Sequence, residues 1–157
     1  MMKFIGIIPA RFQSTRFPGK PLALLNNKPI IQWVYENASK ALDEVWVATD
    51  DDRIYEKVVN FGGKAVKTKS VHRSGTDRSA EATRILSEQI TFDVVINIQG
   101  DEPFIKPRQI DQLSSCFDEE TEIATLVKKI ETTEELFNPN RPKVVLDNDQ
   151  NALYFSR

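Results

Sequence analysis

The run Phe4-Ile5-Gly6-Ile7-Ile8 has no polar side chain, so as a strand it has no face to offer to water. A strand of that kind must be covered on both sides, which is the condition of a parallel sheet between two helical layers. The rest of the chain supplies the layers. Strand-like runs follow at Glu44–Thr49, Lys64–Thr68, Asp93–Gln99 and Ile123–Ile130, separated by helical patterns. Pro29 opens the first of these, with Ile30, Val34, Ala38 and Leu42 about four residues apart. Asp50, Asp51 and Asp52 crowd the start of the second, where carboxylates cap free N–H groups and oppose the positive end of the helix dipole. That helix turns Ile54, Val58 and Phe61 inward and stops at Gly62-Gly63. A third is expected from Thr76, its cap, to Gln89; Pro107 starts a fourth with Ile110, Leu113 and Phe117 on one face, and Thr133–Phe137 forms a short fifth.

The end of the chain differs. KVVLD and ALYFSR flank the turn-forming NDQN, which reads as a β-hairpin. The expected fold class is therefore α/β, a mostly parallel sheet flanked by helices on both faces, with a C-terminal hairpin. A chain of 157 residues without a linker or internal repeat is expected to be one domain. In such sheets ligands bind beyond the carboxyl ends of the strands, where the loops after the first and fourth strands both fall.

Composition narrows the function classes. The net charge of −2 gives no broad pull on nucleic acid or an anionic membrane, so anion binding has to be local. Cys116 is the only cysteine and His72 the only histidine, which excludes a cysteine metal cluster, a histidine metal centre and an intramolecular disulfide. The absence of a signal-like start or a membrane-length apolar run makes a soluble, cytoplasmic chain the expectation. Cys116 is expected to be a packed thiol, Trp33 and Trp46 core residues, and Lys128-Lys129 a solvated strand end.

Three stretches carry chemistry. PARFQSTRFPGKP, Pro9 to Pro21, holds Arg11, Arg16 and Lys20 among three prolines and one glycine. It is not a Walker loop, since Ser14 stands where glycine is needed and Pro21 where Ser or Thr is needed. It reads as a stiffened loop whose cations pair with phosphate oxygens. QGDEP, Gln99 to Pro103, ends a buried strand with Asp101 and Glu102, oxygen donors suited to Mg²⁺ when substrate phosphates complete the shell. HRSGTDR, His72 to Arg78, enters a helix with free N–H groups and small side chains that suit a nucleotide or its ribose.

IPARFQSTRFPGKPL, HRSGTDR, INIQGDEP, FNPNRPKVV and ALYFSR, in this order, resemble the 3-deoxy-manno-octulosonate (KDO) cytidylyltransferases, or CMP-KDO synthetases, along essentially the whole chain. The resemblance implies a Rossmann-like nucleotidyltransferase fold. It also implies Mg²⁺-dependent attack of the KDO anomeric hydroxyl on the α-phosphate of CTP, giving CMP-KDO and pyrophosphate for lipopolysaccharide assembly. It places Arg11 and Lys20 on the triphosphate, with Pro9 and Ala10 in the same substrate loop. Arg16 falls to the outer phosphates or the sugar carboxylate. Ser74, Gly75 and Arg78 fall to the cytidine pocket, Gln99 and Arg157 to the sugar, and Asp101 to Mg²⁺. The related CMP-sialic acid synthetases share Pro-Ala-Arg but continue with Gly-Gly-Ser-Lys where this chain has Phe12-Gln13-Ser14-Thr15-Arg16.

The family is homodimeric, and its members continue past Tyr154-Phe155-Ser156-Arg157 into a part that carries a second metal-binding aspartate, most sugar contacts and much of the dimer interface. Residues 1–157 are thus expected to be the CTP-binding domain. A nucleotide-binding fragment without turnover and a sialic-acid-type enzyme are the alternative functions.

Overall fold

The computed structural model describes residues 2–13 and 17–156, and its contacts divide the chain into two units, Met1–Phe117 and Asp118–Arg157. In the first unit β1 (Phe4–Ala10) is the central strand. After it come the short strands β2 (Leu24–Leu25) and β3 (Lys28–Pro29), then α1 (Ile30–Ala38), β4 (Glu44–Thr49), α2 (Asp52–Asn60) and β5 (Lys64–Lys67). The unit continues with α3 (Gly75–Ser87), β6 (Val94–Asn97) and α4 (Pro107–Ser114). The main sheet runs β5-β4-β1-β6, with every neighbouring pair parallel. The α/β expectation holds, with helices on both faces.

Alternation along the strands explains the layering. Ile8 and Ala10 of β1, with Val45 and Val47 of β4, pack against Ile31, Val34 and Ala38 of α1 and Ile54 and Val58 of α2. Ile5 and Ile7, with Ala48 and Val66, face Ala82 and Leu86 of α3. Ile5, Ile7 and Ile8 are at most 2% exposed, so β1 is sealed on both sides as its composition requires. The chain first builds outward from β1 through β4 to β5, and α3 then carries it back across the opposite face to β6. The order therefore reverses between β1 and β6, and a crevice opens outside their carboxyl ends.

Several local details depart from the sequence reading. Ser74, not Thr76, caps α3: its Oγ accepts from the Asp77 N–H at 3.0 Å. Asn26 and Asn27, with φ of 50° and 61°, make a tight hairpin turn between β2 and β3 that the sequence reading passed over. Trp33 and Trp46 are half-buried, and Trp33 Nε1 donates to the Leu25 carbonyl at 2.9 Å. Cys116 is exposed.

The second unit contains α5 (Thr133–Phe137) and the antiparallel hairpin of β7 (Lys143–Leu146) and β8 (Ala152–Ser156), as expected. The expected strand Ile123–Ile130 is absent. Among the described residues β7 pairs only with β8, so that stretch has no ladder to join, and Ile123, Leu126 and Val127 are exposed. Lys128, expected as a strand end, is drawn instead to Glu135. No helix among the described residues is long and apolar enough to cross a membrane.

Glu135 is the polar centre of this unit. It accepts from the Glu131 N–H at 3.0 Å, Lys128 Nζ at 3.0 Å and Arg141 Nη1 at 2.6 Å. The Glu131 N–H bond first, then the Lys128 hydrogen bond, bring its pKa down to about 2 from 4.5. A depressed carboxylate contributes stability that is complete above its unfolded pKa and lost as pH falls through the folded one. Amide exchange across residues 128–141 should accordingly be protected at pH 5 and lose that protection as pH falls from about 4.5 to about 2. Glu135→Gln should show the weaker protection already at pH 5, with little further change on acidification.

Candidate functional site

Three loops meet at the carboxyl ends of β1 and β6, and Pro9 lies where they touch. A Cβ on Gly75 would stand 3.1 Å from the Pro9 ring, and one on Gly100 would stand 2.8 Å from the Pro9 carbonyl oxygen. Glycine at 100 lets the loop after β6 lie against the end of β1, and glycine at 75 lets the start of α3 close in from another side. The result is a cleft of about 240 Å³. Pro9 and Ala10 enter it from the end of β1, Arg11 from the residue after it, and Lys20 and Pro21 from a 3₁₀ turn at Lys20–Leu22. His72, Arg73, Ser74, Gly75 and Arg78 come from the entrance to α3, and Gln99, Gly100 and Asp101 from the loop after β6. Nine of the eleven residues singled out in the sequence thus face one cavity. The other two, Arg16 and Arg157, lie outside the described residues.

The polar groups differ in how far they are committed. Lys20 Nζ donates to Asp101 Oδ2 at 2.7 Å, which joins the basic loop to the β6 loop. Both side chains are exposed, 36% and 54%, so water weakens this pair and a ligand can separate it. Arg78 is the opposite case, only 3% exposed. Its Nη1 donates to Thr68 Oγ1 at 2.6 Å and its Nη2 stands 2.8 Å from Asp50 Oδ1. That buried oxygen has no aligned hydrogen bond, so its link to the guanidinium is chiefly Coulombic. Arg78 therefore belongs to the cleft wall, but its guanidinium ties α3 to the ends of β4 and β5. The Ser74 hydroxyl is occupied as well, since it caps α3 and donates to Asp77 Oδ2 at 2.7 Å.

Behind the wall, Glu81 on α3 braces the segment before the helix. Its Oε2 accepts from the Lys69 N–H at 2.8 Å and meets His72 Nε2. The His72 contact holds the Glu81 carboxyl below the usual carboxylate range, against the opposing effect of burial. Arg73, a further cation on the cleft, was not singled out in the sequence, although it lies inside HRSGTDR.

Among the described residues no cluster of three or more His, Cys, Asp or Glu side chains is close enough to hold a metal ion by itself. Asp101 alone brings a carboxylate to the cleft, where Arg11 and Lys20 also converge. Mg²⁺ is commonly held by one or two carboxylates, waters and substrate phosphates. An accessible, weakly paired aspartate beside a basic loop fits that pattern.

A family model described as cytidylyltransferase matches residues 5–157. The chain belongs to the cytidylyltransferase family. A relative from Parabacteroides distasonis, named 3-deoxy-manno-octulosonate cytidylyltransferase, is 58% identical over 162 residues that take in 100% of this chain and 64% of the relative. One from Shewanella frigidimarina, named 8-amino-3,8-dideoxy-manno-octulosonate cytidylyltransferase, is 53% identical, covering 99% of this chain and 65% of the relative. A solved structure of CMP:2-keto-3-deoxy-manno-octonic acid synthetase complexed with CTP is 44% identical with a TM-score of 0.89, covering 98% of this chain and 64% of that one. The chain thus spans a little under two thirds of the length of these relatives, and the cytidylyltransferase fold expected from the motifs holds over that span.

The close approach at Gly100 can be tested directly. An alanine there meets backbone that has no room to yield, and overpacking costs about 1–3 kcal/mol. Gly100→Ala should lower the urea midpoint by that equivalent. Gly75→Ala, which meets only the Pro9 ring, should cost less.

Proposed function

We propose that the cleft binds CTP with Mg²⁺ and that the chain is the nucleotide-binding part of a KDO cytidylyltransferase. The observation that carries this reading is the convergence of Arg11, Lys20 and Asp101 with the entrance to α3 on one cleft, in a chain 58% identical to a relative of that name.

In this reading Arg11 and Lys20 bind the triphosphate, exchanging the exposed Lys20–Asp101 pair for lysine–phosphate contacts. Asp101, once released, would be one protein ligand for Mg²⁺, which when bound would supply charge neutralisation at the transferring phosphoryl group. Pro9, Ala10, Ser74 and Gly75 border the cytidine through backbone groups, because the Ser74 hydroxyl is taken by the cap. Arg78 acts on the same pocket from behind, by fixing α3. Gln99 and, beyond the described residues, Arg157 are assigned to the sugar-acid side, and Arg16, also beyond them, to the outer phosphates or the sugar carboxylate.

The reaction joins the anomeric oxygen of the sugar to the α-phosphorus and breaks the bond from that phosphorus to the bridging oxygen of pyrophosphate. The hydroxyl proton passes to solvent. No covalent enzyme intermediate is needed, so these residues contribute position and charge. KDO is the sugar most of the related names favour. The 53%-identical relative supports the 8-amino analogue as a second reading, and pyrophosphate release by the full-length protein with each sugar separates them.

The 157-residue chain should be protected against thermal unfolding more by Mg²⁺·CTP than by Mg²⁺·ATP or Mg²⁺·GTP, as expected of selective binding to the folded state. Lys20→Ala removes a charge-assisted contact worth roughly 1.5–3 kcal/mol. Calorimetric titration should show CTP affinity falling about tenfold or more and CMP affinity falling less. Equal protection by all three triphosphates would show a site that reads phosphates alone.

A further inference from the structure

Arg53 lies outside the cleft, in the first turn of α2, yet its guanidinium sits 3.3 Å from the centre of the Phe12 ring. Asp51 aims it there: Arg53 Nε donates to Asp51 Oδ1 at 3.0 Å and Nη2 to Oδ2 at 2.6 Å. Phe12 in turn closes the basic loop on itself. Its carbonyl accepts from the Gly19 N–H at 2.8 Å, and its ring edge lies so near Gly19 that a Cβ there would stand 3.0 Å away. Gly19 also adopts a φ of +72°, which favours glycine. The neighbours of this closure are Arg11, immediately before Phe12, and Lys20, immediately after Gly19.

We propose that Arg53 is a positioning residue which, by stacking on Phe12, holds the loop so that Arg11 and Lys20 face one polyphosphate. This rests on the reading of the cleft as a triphosphate site. Capping of α2 does not need the Arg53 side chain, because the capping bond runs from the Arg53 backbone N–H to Asp51 Oδ1 at 3.0 Å. The side chain is itself 58% exposed. Its placement over the ring therefore serves the loop rather than the helix.

Two readouts on the 157-residue chain test this, one of them independent of nucleotide. Trypsin can cut the loop after Arg11 or Arg16, whereas Pro21 blocks the bond after Lys20. A cation–aromatic contact at an exposed site corresponds to about a threefold effect. Arg53→Ala should speed tryptic cleavage within residues 11–17 and weaken CTP binding, each about threefold, and CMP binding less. The thermal midpoint without ligand should stay at the parent value. Phe12→Leu should act in the same direction, and the double variant should be no worse than the worse single one, because both remove the same contact.

Parental cleavage rates in Arg53→Ala would overturn the proposal. So would a fall in thermal midpoint that accompanies the other changes, since the residue would then be only structural. Faster cleavage with unchanged CTP affinity would overturn it too, since the contact would then hold the loop without positioning Arg11 and Lys20. Failure of the triphosphate reading itself would show instead as parental CTP affinity in Lys20→Ala.

Discussion

Everything in the first unit depends on β1 having no solvent face. Ile5, Ile7 and Ile8 are each buried within 2%, and hydrophobic burial of this kind is the main favourable term in folding. One helical layer cannot cover a strand that is apolar on both sides. The chain therefore places α1 and α2 on one face and returns through α3 on the other, and the return leaves the crevice at the β1–β6 boundary. The site follows from the core, since the strand that most needs covering is also the one whose end carries Pro9, Ala10 and Arg11.

What happens in that crevice is decided by approach distances. Pro9 has no N–H, and its ring and carbonyl face two glycines. Any larger residue at 100 would push the β6 loop, and with it Asp101, away from Lys20. The 2.7 Å contact between those two side chains shows how closely the loops are drawn together. Acid and base are neutralised by each other at the mouth of the cleft, in a place open enough for a ligand to compete for both.

The sequence made the strands of the sheet legible because their signal is local: each is short, carries apolar or β-branched residues at its centre and is set apart from the helical patterns on either side. Glu44–Thr49 has the bounds read from the sequence. Ile123–Ile130 looked equally strand-like, but a strand is completed by its partner, and a run of residues does not reveal whether one is there. Of the site, the residues that line the cleft stood out as unusual stretches, and the relatives share the family they suggested. The supports did not stand out. Arg78 looks like a ligand in HRSGTDR, and only its burial against Asp50 and Thr68 shows a brace. Glu81 and Arg53 lie in ordinary helical sequence, and their partners are fixed by tertiary approach that no spacing encodes. Thr76 was read as the cap of α3, but Ser74, two residues earlier, fills that role, and only the hydrogen bond to the Asp77 N–H separates the two hydroxyl residues.

The two walls of the cleft are secured in unlike media. The α3 side is tied through a guanidinium buried among Asp50 and Thr68, where water does not compete. The basic loop is joined to the β6 loop through the exposed Lys20–Asp101 pair, which salt screens readily. Local openings in a protein need not wait for global unfolding. As ionic strength rises, the cleft should therefore loosen in a set sequence, the Lys20 side letting go while the sheet and α3 still stand. A chain that looks fully folded by its helical signal can already have lost the arrangement of this cleft, and spectroscopic intactness is no proxy for it.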